Sequence, residues 1–138
     1  MNKIKYDLKL MKYISLFESL TNAEVKDCIN LDDLLVFVVL ETEIGKAIGK
    51  NGANVKKMIN IFNKQIKIIE FSDEVTQFVK NCLFPLQVNE VSQQDNVVII
   101  TGADTKTKGQ IIGRDKANLI SLKSIVKRYF TIDDIKVV

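Results

Sequence analysis

At 138 residues, 46% apolar and 27% charged, the chain holds enough apolar material for one domain or two small ones, and its composition excludes a disordered polymer. The net charge is only +3, no apolar run reaches membrane-spanning length, and the start carries no signal-peptide block. There is no histidine and only two isolated cysteines, Cys28 and Cys82. A zinc site therefore lacks ligands, and two buried thiols in a cytoplasmic protein fit better than a disulfide. No metal and no cofactor is expected.

Leu10, Tyr13, Ile14, Phe17 and Leu20 fall at helical spacing and predict an amphipathic helix over 5–20. Thr21-Asn22-Ala23-Glu24 has a capping-box pattern and could open a further helix, but 25–30 fits a strand at least as well. Leu31-Asp32-Asp33 reads as a turn into a β-rich run over 34–40, and the two strands suit a hairpin. A short helix then leads to Gly49, and 53–63 continues as a helix with Val55, Met58, Ile59 and Phe62 on one face. A strand follows at 66–71, and Ser72-Asp73-Glu74 starts a helix over 74–83 that stops before Pro85. Strands at 86–91 and 97–101 flank a turn at 92–96. A short helix from about 106 reaches Gly113, a longer one covers 117–129, and Asp133-Asp134 turns the chain into a last strand, 135–138. The order helix–strand–strand–helix–helix–strand thus occurs twice, which predicts an α+β protein with domains at 1–72 and 73–138.

The stretch around Gly49 organises this pattern. Gly49 and Gly52 bracket Lys50 and Asn51 just before a helix. Glycine permits a sharp turn and a close approach, and a helix start attracts phosphate. At an offset of 64 residues, Gly109 matches Gly45, Ile112 matches Ile48, Gly113 matches Gly49, Arg114 matches Lys50, and Ala117-Asn118 matches Ala53-Asn54. Charge follows the repeat. Lys46, Lys50, Lys56, Lys57, Lys64 and Lys67 lie within 44–69 with no acid, and Lys106, Lys108, Arg114, Lys116, Lys123, Lys127 and Arg128 lie within 105–132 with only Asp115. Each segment carries a net +6 and the remainder −9, which favours a polyanion-binding surface. The run Gly45 to Asn51 imitates the phosphate loop of nucleotide hydrolases, but it is one residue short and Asn51 stands where a magnesium-holding Ser/Thr belongs. Asp32-Asp33, Asp73-Glu74 and Asp133-Asp134 fall at turns and helix starts, and no histidine activates either cysteine, so no enzyme is expected.

Ile48-Gly49-Lys50-Asn51-Gly52 between two helices resembles the GXXG loop of KH domains, and the element order looks like the type II version. Two such domains in a short chain resemble the archaeal NusA-type transcription elongation and termination factors. The resemblance also rests on the run from Leu20 to Cys28, on Glu70-Phe71-Ser72-Asp73 and on the second loop. It implies two three-stranded mixed sheets packed against helices. It also implies single-stranded RNA, a nascent transcript, as ligand, with RNA polymerase as partner, in the cytoplasm and without catalysis. In KH domains the loop clamps the backbone of about four nucleotides while bases occupy an adjoining groove. Carried over, Gly49, Lys50, Asn51 and Gly52 form the clamp, and Gly45, Lys46, Ile48, Val55 and Lys56 border the groove. Gly113, Arg114 and Lys116 form the second site. There Lys116 replaces the second glycine and Asp115 adds a negative charge, so contact with altered geometry is expected. A KH-fold adaptor that docks on protein and a ribosome-associated RNA-binding protein are the alternatives.

Overall fold

The computed structural model describes residues 8–31 and 33–138. Residues 5–7 of the expected first helix and Asp32 of the expected turn lie outside the described residues. The chain divides into two compact units, Met1–Phe71 and Ser72–Val138.

The first unit runs α1 (Leu8–Thr21), β1 (Val25–Leu31), β2 (Leu34–Val39), α2 (Ile44–Ile48), α3 (Ala53–Phe62) and β3 (Gln65–Glu70). The second runs α4 (Val75–Leu83), β4 (Val88–Gln94), β5 (Val97–Gly102), α5 (Thr105–Ile112), α6 (Ala117–Lys127) and β6 (Asp134–Val137). Each is an α+β unit built on a three-stranded mixed sheet. β2 is central, antiparallel to β1 and parallel to β3; β5 is central, antiparallel to β4 and parallel to β6. Parallel neighbours need a crossover. In both units that crossover is the helix pair with the glycine loop at its midpoint.

In the first unit, Phe17, Cys28, Leu35, Phe37, Val39, Ala47 and Met58 form the core, with Tyr13, Ile44, Phe62 and Ile68 packed against it. Phe17 stacks on Phe37 at 4.1 Å between ring centroids, and Tyr13 meets Phe62 edge-on at 5.1 Å. These rings tie α1 and α3 to β2. Leu35 to Val39 are all buried, which accounts for the unbroken apolar run in the sequence. In the second unit β5 alternates instead, with Val98, Ile100 and Gly102 buried. Phe78 packs edge-on against Tyr129 at 5.5 Å and beside Phe130 at 5.6 Å.

Two local expectations are corrected. Thr21 does not open a helix; it closes α1. Its Oγ1 donates to the Phe17 carbonyl at 2.8 Å and accepts from the Ala23 N–H at 3.1 Å. Asn22, at φ 58°, donates its N–H to the Glu18 carbonyl at 2.8 Å, an αL helix ending. Ser92-Gln93-Gln94 are not turn residues, since β4 runs on through Gln94 and the hairpin closes over Asp95 and Asn96 alone. β4 is an edge strand whose only buried residue is Val91, so polar side chains cost it nothing there.

Candidate nucleic-acid interface

The first loop sits between two anchored helices. Ala47 of α2 and Met58 of α3 are fully buried. The start of α2 is pinned by Glu43, whose carboxylate accepts the Glu24 backbone N–H at 3.1 Å and pairs with Lys46 at 3.0 Å. The Lys46 hydrogen bond, then the Glu24 N–H, hold the Glu43 carboxyl below its ordinary pKa. α2 ends at Gly49, whose φ of 76° and ψ of 170° suit only glycine. Asn51 (φ 55°) and Gly52 (φ 72°) follow in the left-handed region, and α3 begins at Ala53. The chain thus passes from one helix to the next within four residues, with Lys50 and Asn51 exposed at the tip.

Lys46, Lys56 and Lys57 are exposed beside this tip, while Ile48 and Val55, on either side of the loop, are half-buried. Gly45 is exposed in α2, and a Cβ there would meet no atom within 4 Å. Lys64 and Lys67, also counted in the basic segment, lie elsewhere. Lys64, beyond the far end of α3, donates to Asn30 Oδ1 at 2.8 Å, and Lys67 is half-buried on β3.

The second loop repeats the first. Gly113 has φ 75° and ψ 172°, Asp115 φ 54° and ψ 30°, and Lys116 φ 63° and ψ 18°, against 76° and 170°, 55° and 30°, 72° and 19° for Gly49, Asn51 and Gly52. The altered geometry expected from Lys116 is therefore absent. The reason is space: a Cβ at Gly52 would meet nothing within 4 Å, so a side chain at the equivalent position bears only the left-handed backbone cost. Loop charge is also balanced. Asp115 and Lys116 together replace Asn51 and Gly52, leaving each loop a net +1 from Lys50 or Arg114.

The surrounding charges differ between the units. Asp104 caps α5 by accepting the Thr107 N–H at 2.7 Å, which lowers its pKa, and α5 has eight residues against five in α2. Lys108 occupies the place of Ile44, its stem lying where a Cβ on Gly102 would fall. Lys123 pairs with Asp134 of β6 at 2.7 Å, and the bond lowers the Asp134 pKa. Lys127 ends α6, about 15 Å along the helix axis from the loop. Arg114 and Lys116 are the exposed cations at the second tip.

Sequence reasoning passed over one pair. Asn54 Nδ2 donates to the Lys46 carbonyl at 2.9 Å, and Asn118 Nδ2 donates to the Gln110 carbonyl at 2.9 Å. The recurrence of Ala-Asn after both loops was the one signal of it. Among the described residues no three His, Cys, Asp or Glu side chains cluster as a metal site, and no helix is long and apolar enough to cross a membrane.

Comparisons with known proteins bear on the family of the chain. The KH domain family model matches residues 12–96. The chain is 36% identical over 99% of its length to a "Probable transcription termination protein NusA" of Methanococcus vannielii, covering 80% of that protein. Proteins of the same name from Methanocaldococcus jannaschii and Thermoplasma acidophilum are 33% and 30% identical, with 77% and 97% of their lengths covered. The crystal structure of APE1850 superposes with a TM-score of 0.76 at 26% identity, over 96% of this chain and 100% of that one. A repeated three-stranded sheet with a glycine loop at each crossover, together with relatives of one name that match along nearly the whole chain, places this chain in the KH-domain family, among the archaeal NusA-type proteins.

Proposed function

We propose that the chain is a single-stranded RNA-binding transcription factor that engages nascent transcript beside RNA polymerase in the cytoplasm, each unit acting as one KH domain (1–72 and 73–138). The observation that carries this reading is the pair of loops with matching backbone, each presenting a cation at its tip ahead of a helix start. In the first unit Gly49, Lys50, Asn51 and Gly52 grip the phosphate backbone, Lys46 and Lys56 add attraction, and Gly45, Ile48 and Val55 border the bases. In the second, Gly113, Arg114 and Lys116 do the same work. Binding alone performs the function, with no catalytic step. The NusA name of the relatives supports a role in termination and, with it, a polymerase contact.

Gly45 adds independent support. Glycine inside a helix costs about 1 kcal/mol against alanine. Among the described residues nothing fills the space of a Cβ at Gly45 or at Gly109, so their packing does not require glycine at either place. A ligand that comes close to α2 and α5 does.

Binding of a short single-stranded RNA across a salt series, beside a Lys50→Asp/Asn51→Asp variant, tests the reading. RNA binding predicts a log–log slope of about −0.7 per neutralised phosphate and a large loss in the folded variant. Absence of binding by either protein rejects it in favour of the adaptor reading, for which the exposed Leu8, Met11 and Leu16 on α1 offer an apolar contact face.

A further inference from the structure

We infer that Asn54 and Asn118 are positioning residues for RNA binding, each latching its loop in the conformation that meets phosphate. The inference rests on the RNA-binding reading above and adds residues that the KH resemblance did not supply.

The latch closes from one helix to the next. α2 ends at Ile48, so the carbonyls of its last turn have no following turn to donate to them. Gly49 satisfies the Gly45 carbonyl with its own N–H at 3.0 Å. The next carbonyl, on Lys46, is satisfied from across the loop by the side-chain amide of Asn54, in the first turn of α3. In the second unit the Gly113 N–H takes the Gly109 carbonyl at 2.8 Å, and Asn118 takes that of Gln110. Each amide therefore ties the end of one helix to the start of the next, and the loop between them has its two ends fixed.

The same amide fills the space beside the first glycine, whose backbone already admits only glycine. A Cβ on Gly49 would stand 2.8 Å from Asn54 Cγ and Nδ2; on Gly113 it would stand 2.6 Å from Asn118 Cγ. Neither distance is tenable for a real side chain. The first glycine and the asparagine are thus one unit, since the amide occupies the volume that the missing Cβ leaves. The second glycine has no such partner. Backbone and amide together fit the form of the repeat: the first glycine stands where only glycine is admitted and the amide packs beside it, whereas the second stands in the left-handed region, which Lys116 reaches at a cost.

Lys116 shows the latch under load. A non-glycine residue in the left-handed region persists where its surroundings over-determine it. Its own side chain is exposed, and the Asn118 bridge fixes the two helix ends between which it stands. Loss of Asn118 lets Lys116 leave the left-handed region. In the first loop the equivalent position is Gly52, which bears no left-handed cost, so loss of Asn54 releases no such strain. The second loop therefore depends on its latch more than the first does on its own. A relaxed loop has to be reordered when RNA binds, and that cost reads out as weaker affinity.

The test uses the full chain with Asn54→Ala, Asn118→Ala and the double variant, and the milder Asn54→Ser and Asn118→Ser where an alanine variant loses folded content. Three quantities are measured: melting temperature, binding of a short mixed-sequence single-stranded RNA across a salt series, and loop amide shifts in the RNA-free protein. Each alanine variant is expected to bind about five- to tenfold more weakly at an unchanged salt slope, because the reordered loop meets the same phosphates in the complex. Shifts at 113–116 in Asn118→Ala should exceed those at 49–52 in Asn54→Ala. Variants that melt lower yet bind RNA with unchanged affinity would make the asparagines structural braces only and overturn the inference. Failure of the unaltered protein to bind RNA would instead overturn the functional reading beneath it.

Discussion

Gly45 and Gly109 give the account its sharpest quantitative consequence, because stability and binding should move in opposite directions. Gly109 lies in the middle of α5, and Gly45 in the first turn of α2. Both are exposed, and a methyl group on either would touch nothing within 4 Å, so no clash offsets the gain in helix propensity. Gly109→Ala should stabilise its unit by about 1 kcal/mol. For a unit of this size that raises the melting temperature by about 4–8 °C. Gly45→Ala, near a helix start, should gain about 0.5 kcal/mol. If RNA lies against these helices, the same methyl group overpacks the complex by about 1–3 kcal/mol, and affinity falls by about tenfold. Thermal melts and RNA titrations on the same preparations read both quantities. Alanine variants that melt higher and bind RNA as tightly as the parent protein would refute the claim that these glycines admit a ligand.

Further outcomes are expected. Lys116→Gly removes a left-handed strain of about 1–2 kcal/mol but adds about 0.5–1 kcal/mol of unfolded-chain entropy, so a net gain of about 0.5–1 kcal/mol should appear in denaturant titrations. Phe37→Ala removes a fully buried ring stacked on Phe17 and should cost about 3–5 kcal/mol, visible as loss of near-ultraviolet dichroism or of the folded state at ambient temperature. Glu43, Asp104 and Asp134 all have folded-state pKa values below their unfolded ones, so the folded chain binds fewer protons. Their stabilisation is complete above the ordinary carboxylate range and is lost as pH falls through it, so denaturation midpoints should decline between about pH 5 and pH 3. Asp104→Ala should remove that part of the decline which belongs to the α5 cap.

What the sequence made legible was periodic. The apolar spacing of α1, the unbroken run of β2 and the glycine pairs at a fixed offset each reflect one dominant physical demand, and both units follow the expected element order. Other features escaped because one pattern serves two purposes. Thr21 and Glu24 carry the signature of a helix start, yet Thr21 turns its hydroxyl back on Phe17 to end a helix. Ser92, Gln93 and Gln94 are turn-like in composition, but an edge strand facing solvent admits them. Altered geometry is the expectation at Lys116 because sequence says nothing of the empty space around the equivalent Gly52. The Asn54 and Asn118 bridges span eight residues and depend on two helices being brought end to start, so only the repetition of Ala-Asn hinted at them. Charge was the least reliable guide, since Lys123 answers to Asp134 and Lys64 to Asn30, away from the loop tips.

The central claim is that both loops bind RNA through one shared geometry. Amide chemical shifts followed during titration of the full chain with a short single-stranded RNA test it most directly. The account predicts that signals of 49–52 and 113–116 move in the same titration, with those of Gly45 and Gly109 beside them. Shifts confined to other surfaces, or none at saturating RNA, would contradict it.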